Sequence, residues 1–216
     1  MSSGSAPGPV DKHGIAFGPL GDGWVHLCID MQRMFAEATD WQTPWLPIVL
    51  PKVIQLVELA PERALFTRFV PPMSASDAPG AWQRYYERWP DMTLERLDLD
   101  LLELVPELAR HVPPARLFDK PVYSPWVDGR LHRLLRGLNV DAVVISGAET
   151  EVCVLAAVIG AMDLGYRVIV ATDAVCSSAD QTHDAALEVY HNRFGMQVEV
   201  VTVAQLIEAK LDGMLG

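Results

Sequence analysis

Residues 140–157 read VDAVVISGAETEVCVLAA. The apolar, β-branched run Val143, Val144 and Ile145 ends in Ser146 and Gly147, and a segment with helical spacing follows whose first turns hold Thr150 and Cys153. That pattern is a strand, a sharp turn and a helix. In an open α/β sheet, ligands sit outside the carboxyl ends of the strands, and a helix start there offers unpaired N–H groups and the positive end of a dipole. A thiol placed there ionises more readily and becomes a nucleophile. A lone cysteine is also a good packing residue, so the choice rests on what the other strand ends carry.

Working outward, apolar runs predict strands at 25–29, 63–67, 115–118, 142–145, 167–171 and 198–201. Helical spacing is read at about 47–59, 82–89, 97–110 with a break near Pro106, 128–137, 150–164, 180–194 and 203–211. Strands alternating with helices imply an α/β fold with a parallel sheet covered on both faces and right-handed crossovers. No linker divides the chain. Residues 23–216 are read as one domain, and residues 1–22, rich in Gly, Pro and Ser, as a loose arm.

The 216 residues are half hydrophobic and carry a formal net charge of −11, with no basic stripe, which argues against a nucleic-acid partner. No run is long enough to span a membrane, and the first residues lack the apolar core of a signal peptide, so a cytoplasmic location is expected. Cys28, Cys153 and Cys176 are odd in number and far apart, which excludes a disulfide framework or a zinc knuckle; packing accounts for Cys28 and Cys176. His183 and His191, eight apart on one helix, are expected to face solvent. There is no HxH or HxxxH pair, no glycine fingerprint after the first strand, no P-loop and no GxSxG. No metal and no cofactor are expected, and the partner is a small molecule.

What remains is a polar residue at each of three strand ends: Asp30 after the first, Lys120 after the third and Cys153 beyond the fourth. Asp30 alone reads equally well as a helix cap. Together the three make chemical sense: the ammonium favours the thiolate, and the carboxylate takes the thiol proton and returns it to a leaving amine. Residues 68–93, with Trp82, Tyr85, Tyr86 and Trp89, form a long insertion that reads as a pocket wall or lid, or as a subunit contact.

CIDMQ around Asp30, DKPVYSPW around Lys120, SGAETEVCV around Cys153 and the following MDLGYRVIVATDAVCS resemble the isochorismatase-like cysteine hydrolases, a family that includes N-carbamoylsarcosine amidohydrolases and nicotinamidases. The likeness covers about residues 24–202. It implies a Rossmann-like, three-layer αβα fold with a six-stranded parallel sheet and a catalytic triad of Asp30, Lys120 and Cys153. It also implies a cis peptide between Ala148 and Glu149, an oxyanion hole from the N–H groups of Glu149 and Cys153, and a homo-oligomer, dimer or tetramer. Nicotinamidases carry an Asp-x-His metal motif where this chain has FTRFVPP, so metal-dependent nicotinamide hydrolysis is not expected. Glu149 and Glu151 are expected to cap the helix rather than to raise the thiol pKa.

The reading is a hydrolase of the C–N bond in a small amide, ureido or carbamoyl compound, acting through a Cys153 thioester. Two alternatives stand beside it: a vinyl-ether hydrolase of the isochorismatase type using Asp30, and an inactive member serving as a binding subunit. Phe35, Trp82, Trp89 and Trp126 are candidates for the pocket wall. Arg68 meets a substrate carboxylate or makes a surface ion pair.

Overall fold

The computed structural model describes residues 15–215. Its six strands are β1 (Trp24–Ile29), β2 (Ala64–Phe69), β3 (Arg116–Lys120), β4 (Ala142–Ala148), β5 (Arg167–Cys176) and β6 (Val198–Val201). All pairings are parallel, in the order β3-β2-β1-β4-β5-β6. Every residue of β1 and β4 is buried, as expected for strands covered on both faces. At the edge, β3 exposes Arg116, Leu117 and Asp119.

The helices are α1 (Leu46–Leu59), α2 (Ala81–Arg88), α3 (Arg130–Gly137), α4 (Leu155–Asp163), α5 (Asp180–Glu188) and α6 (Val203–Leu215). One face of the sheet carries α1 and α6, which also touch each other. The other carries α3 and α4, so the layers are αβα. There Trp126 donates its indole N–H to the Ala157 carbonyl at 2.9 Å and stacks on Tyr166, whose hydroxyl lies 2.8 Å from His132 Nδ1. Gly160 on α4 leaves the room that the Trp126 ring fills; a Cβ there would collide with it. None of the described helices is long and apolar enough to cross a membrane.

The chain runs outward from β1 to β3 and then returns to the far side of β1 as β4. Strand order therefore reverses between β1 and β4, and a crevice opens beyond their carboxyl ends.

Several boundaries differ from the sequence expectation. Strands β2 and β3 run on through Phe69 and Lys120, because Arg68 pairs with Asp119 and Phe69 with Lys120 in the ladder even though three of these side chains are charged. Cys176 is the last residue of β5 rather than part of the loop after it. The helix expected at 97–110 is two short turns, Leu99–Leu102 and Pro106–Ala109. Neighbours claim the backbone between: Arg33 N–H donates to the Glu103 carbonyl at 2.9 Å and Val105 N–H to that of Met31 at 3.0 Å.

Of the expected loose arm, residues 1–14 lie outside the described residues. Residues 17–19 are held to the sheet: Arg167 donates to the carbonyls of Gly18 (2.7 Å) and Pro19 (3.1 Å), and Phe17 N–H donates to Glu199 at 3.0 Å. Glu199 in turn pairs with Arg167 at 2.7 Å.

Candidate active site

The reversal between β1 and β4 sets the position of each polar side chain. Asp30 follows β1 directly, with a left-handed backbone (φ 50°) that turns the chain off the sheet edge. Thr67 on β2 fixes it: Asp30 N–H donates to the Thr67 hydroxyl at 3.1 Å, and that hydroxyl donates to Asp30 Oδ1 at 2.6 Å. Two residues on, the buried Gln32 amide bridges β2 and the 97–105 segment. It accepts from Phe69 N–H at 2.6 Å and donates to the carbonyls of Phe69 (3.1 Å) and Leu102 (2.8 Å). Gly147 on β4 adopts φ 108° against the Ile29 backbone, where a Cβ would collide. Only glycine lets β4 lie this close to the strand that ends at Asp30.

Lys120 closes β3, which β2 and β1 separate from β4, and its long side chain reaches back across β2. Its Nζ lies 2.6 Å from Asp30 Oδ2 and 4.9 Å from the centroid of the Phe69 ring, and it donates to the Val122 carbonyl at 3.2 Å and to Cys153 Sγ at 3.4 Å. The three side chains, remote in sequence, thus meet in one buried group.

Burial, together with the negative Asp30, pushes the Cys153 thiol pKa up, and the positive Lys120, which pulls it down, does not compensate. The direction is opposite to the expectation that the helix start and the ammonium favour the thiolate, because burial outweighs the ammonium. Burial alone would lower the Lys120 pKa, but the Asp30 carboxylate and Cys153 outweigh it and raise it. A thiol beside a carboxylate and a fixed ammonium is an arrangement in which a proton can pass from sulfur to carboxylate.

The Ala148–Glu149 peptide is cis, and Glu149 leads into a π-helical turn, Thr150–Val154, before α4. Glu149 and Glu151 do not cap that helix, contrary to expectation. Glu149 accepts from Ser178 N–H at 3.1 Å, and Glu151 accepts from the hydroxyls of Ser177 (2.7 Å) and Thr182. The loop after β5 offers donors nearer than the helix's own first turn. His183 also departs from the solvent-facing reading, since its Nδ1 lies 2.8 Å from the Thr150 hydroxyl.

Cys153 opens on a cavity of about 420 Å³ lined also by Phe35, Trp41, Phe69, Tyr85, Trp89 and Tyr123, with Asp40, Gln42, Glu149, Val152 and Ser178. Of the residues read as pocket wall, Phe35 and Trp89 are there. Trp82 is displaced: it lines another cavity, of about 440 Å³, that Lys120 also lines, and packs edge-on against Tyr123 at 4.6 Å. Trp126 does not line this cavity: it packs on Tyr166 within the α3/α4 layer, where its indole N–H finds a carbonyl on α4. Arg68 makes the ion pairs of the plainer reading, 2.8 Å to Asp119 and 2.9 Å to Glu103.

Sequence reasoning missed Trp41, Phe69 and Tyr123 as lining residues, and placed Tyr85 only within an insertion read as a pocket wall or a subunit contact. Tyr123 sits inside the DKPVYSPW motif and Tyr85 on the aromatic face of α2, so both carried a signal; Trp41 in its Pro-rich stretch carried none. Among the described residues, no three His, Cys, Asp or Glu side chains gather as a metal group.

Residues 25–205 match the family model for the isochorismatase domain. Maleamate amidohydrolase of Pseudomonas putida is 29% identical over 174 residues, 75% of this chain and 78% of that protein. An uncharacterized isochorismatase family protein of Bacillus subtilis is 31% identical over 88 residues, 41% of this chain; like a second one from that organism, it is matched over only about half of its length, 48%. Among solved structures, a cysteine hydrolase from Pseudomonas syringae pv. phaseolicola superposes with a TM-score of 0.74 at 22% identity, covering 88% of this chain and 93% of its own. N-carbamoylsarcosine amidase from Thermoplasma acidophilum superposes at 0.67 with 20% identity, covering 83% and 96%. At these identities the two structures speak for the shared fold.

Proposed function

The chain belongs to the isochorismatase family, and from that premise we propose that it is a cysteine amidohydrolase cleaving the C–N bond of a small amide, ureido or carbamoyl compound. The observation that carries the reading is one chain of contacts at the cavity floor: Asp30 Oδ2 to Lys120 Nζ at 2.6 Å, and Lys120 Nζ to Cys153 Sγ at 3.4 Å. Cys153 attacks the substrate carbonyl carbon while its proton passes to Asp30. The charge that develops on the carbonyl oxygen is met by N–H groups at the start of the π-helical turn, those of Glu149 and Cys153. Asp30 then protonates the departing nitrogen, and collapse of the tetrahedral adduct leaves a thioester on Cys153. Water attacks the thioester with its proton going to Asp30, the acid leaves, and the thiol is restored. Lys120 keeps the carboxylate and sulfur in place and offsets negative charge through both steps.

The relative named maleamate amidohydrolase supports amide chemistry for this chain. The test is a screen of small amides and ureas with ammonia detection, paired with mass spectrometry of the trapped protein. Ammonia release with an acyl adduct on Cys153 is the expected result. Turnover that survives loss of the thiol would overturn the covalent route and favour ether hydrolysis by Asp30.

A further inference from the structure

The cavity above Cys153 is built for one kind of charge. Six aromatic residues, Phe35, Trp41, Phe69, Tyr85, Trp89 and Tyr123, make up half of its lining, and its charged lining residues are both acids, Asp40 and Glu149. Neither acid is in an ion pair among the described residues. Of the cations nearby, Lys120 is held by Asp30, and Arg68 by Asp119 and Glu103; Arg88, in no ion pair among the described residues, lies outside the lining with its guanidinium 4.9 Å from the Trp89 ring centroid, which leaves the Trp41 and Tyr85 rings among the wall faces without a protein cation. Burial raises the pKa of Tyr85 and of Tyr123, so both rings stay neutral phenols.

A substrate carboxylate entering this cavity would lose water and gain no cationic partner, whereas ring faces attract a cation and the two acids add to that attraction. The chain's net charge of −11 steers approaching molecules in the same sense.

We infer that the substrate is an amide whose far end carries a positive charge, an alkylammonium or quaternary ammonium group held against Trp41 and Tyr85 with Asp40 facing it. This rests on the amidohydrolase reading for what happens at the carbonyl, but the choice of charge rests on the cavity wall alone.

Binding and turnover separate the two. Calorimetric titration of the full chain carrying Cys153→Ala uses three amides of similar size: betaine amide, its neutral isostere 3,3-dimethylbutanamide, and succinamate. Betaine amide is expected to bind roughly tenfold more tightly than the neutral isostere, with succinamate weakest. Asp40→Asn on the same background is expected to narrow the cation-to-neutral ratio about threefold. No binding of betaine amide, equal binding of all three, or preference for succinamate overturns the inference; an unchanged ratio in the Asp40 variant overturns the part assigned to that carboxylate. The wild-type chain is then given the same amides. If the binding order holds but neither ammonia nor a Cys153 adduct is found, the hydrolase reading falls and the charge preference stands; ammonia release with an inverted order does the reverse.

Discussion

Strands β1 and β4 carry two buried polar clusters a few residues apart, and they differ in almost everything but burial. Midway along the strands, His26 Nε2 lies 2.7 Å from the Ser146 hydroxyl, and Ser146 stands opposite Cys28 in the ladder. At the carboxyl ends stand Asp30, Lys120 and Cys153. The inner group is uncharged: burial lowers the His26 pKa to about 3 and pushes the Cys28 thiol up to about 12. The outer group holds an ion pair and opens on a cavity. Both thiols are shifted upward by burial, so thiol pKa is not what separates the two cysteines here. Access to a ligand, a neighbouring carboxylate that can take the proton and an ammonium that can offset charge separate them.

The widest separation is expected in turnover. Cys153→Ser should reduce amide hydrolysis by about 10⁴-fold or more, the scale on which loss of a covalent nucleophile acts. Cys28→Ala should leave kcat/KM within about a factor of two while costing roughly 1 kcal/mol of stability through the small void it creates. Steady-state kinetics and urea unfolding of both variants check this, and a similar loss of turnover in the two would erase the distinction.

Stability gives the next contrast. Lys120→Met strands the Asp30 carboxylate in a fully buried site, and removal of one partner from such a pair costs about 3–5 kcal/mol. Ser146→Ala, which breaks a neutral contact in the inner cluster, should cost about 1–3 kcal/mol. The double variant Asp30→Asn with Lys120→Met should recover part of the first loss, because no lone charge remains. Urea unfolding at neutral pH reads all three, and a double variant no more stable than Lys120→Met would mean the charge is not what the pair contributes.

The same comparison shows what the sequence could and could not convey. The outer cluster was legible because each member follows an apolar run, so strand ends could be found and their convergence inferred from the parallel order. The inner cluster was not: His26, Cys28 and Ser146 interrupt apolar strands without altering their pattern, and only the register, Cys28 opposite Ser146, brings them together. The cavity wall was legible only in part. Phe35 and Trp89 sit close in sequence to a catalytic candidate or on an aromatic helix face, whereas Trp126 belongs to the DKPVYSPW string yet turns to a backbone carbonyl of α4. Charged residues also hid strand length: Asp119 and Lys120 read as a loop, but the ladder continues through them.

The smallest effect expected is also the one that tests the inner cluster on its own terms. His26 is fully buried, and its pKa of about 3 lies well below the unfolded value near 6.5, so on acidification the unfolded chain takes up a proton at this position before the folded one does. A group with a depressed histidine pKa contributes stability in full above pH 6.5 and loses it as pH falls toward 3, at about 1.4 kcal/mol per unit once well inside that window. His26→Gln keeps an amide that can meet the Ser146 hydroxyl but does not titrate, so it should be less stable than wild type at pH 7 and lose stability less steeply below it. Carboxylates elsewhere titrate in both proteins and cancel in the difference. Between pH 6 and pH 4.5 the wild-type unfolding free energy should therefore drop by about 2 kcal/mol more than that of the variant. Parallel curves would show that this histidine is already protonated in the fold, and the contrast between a neutral inner cluster and a charged outer one would fail with it.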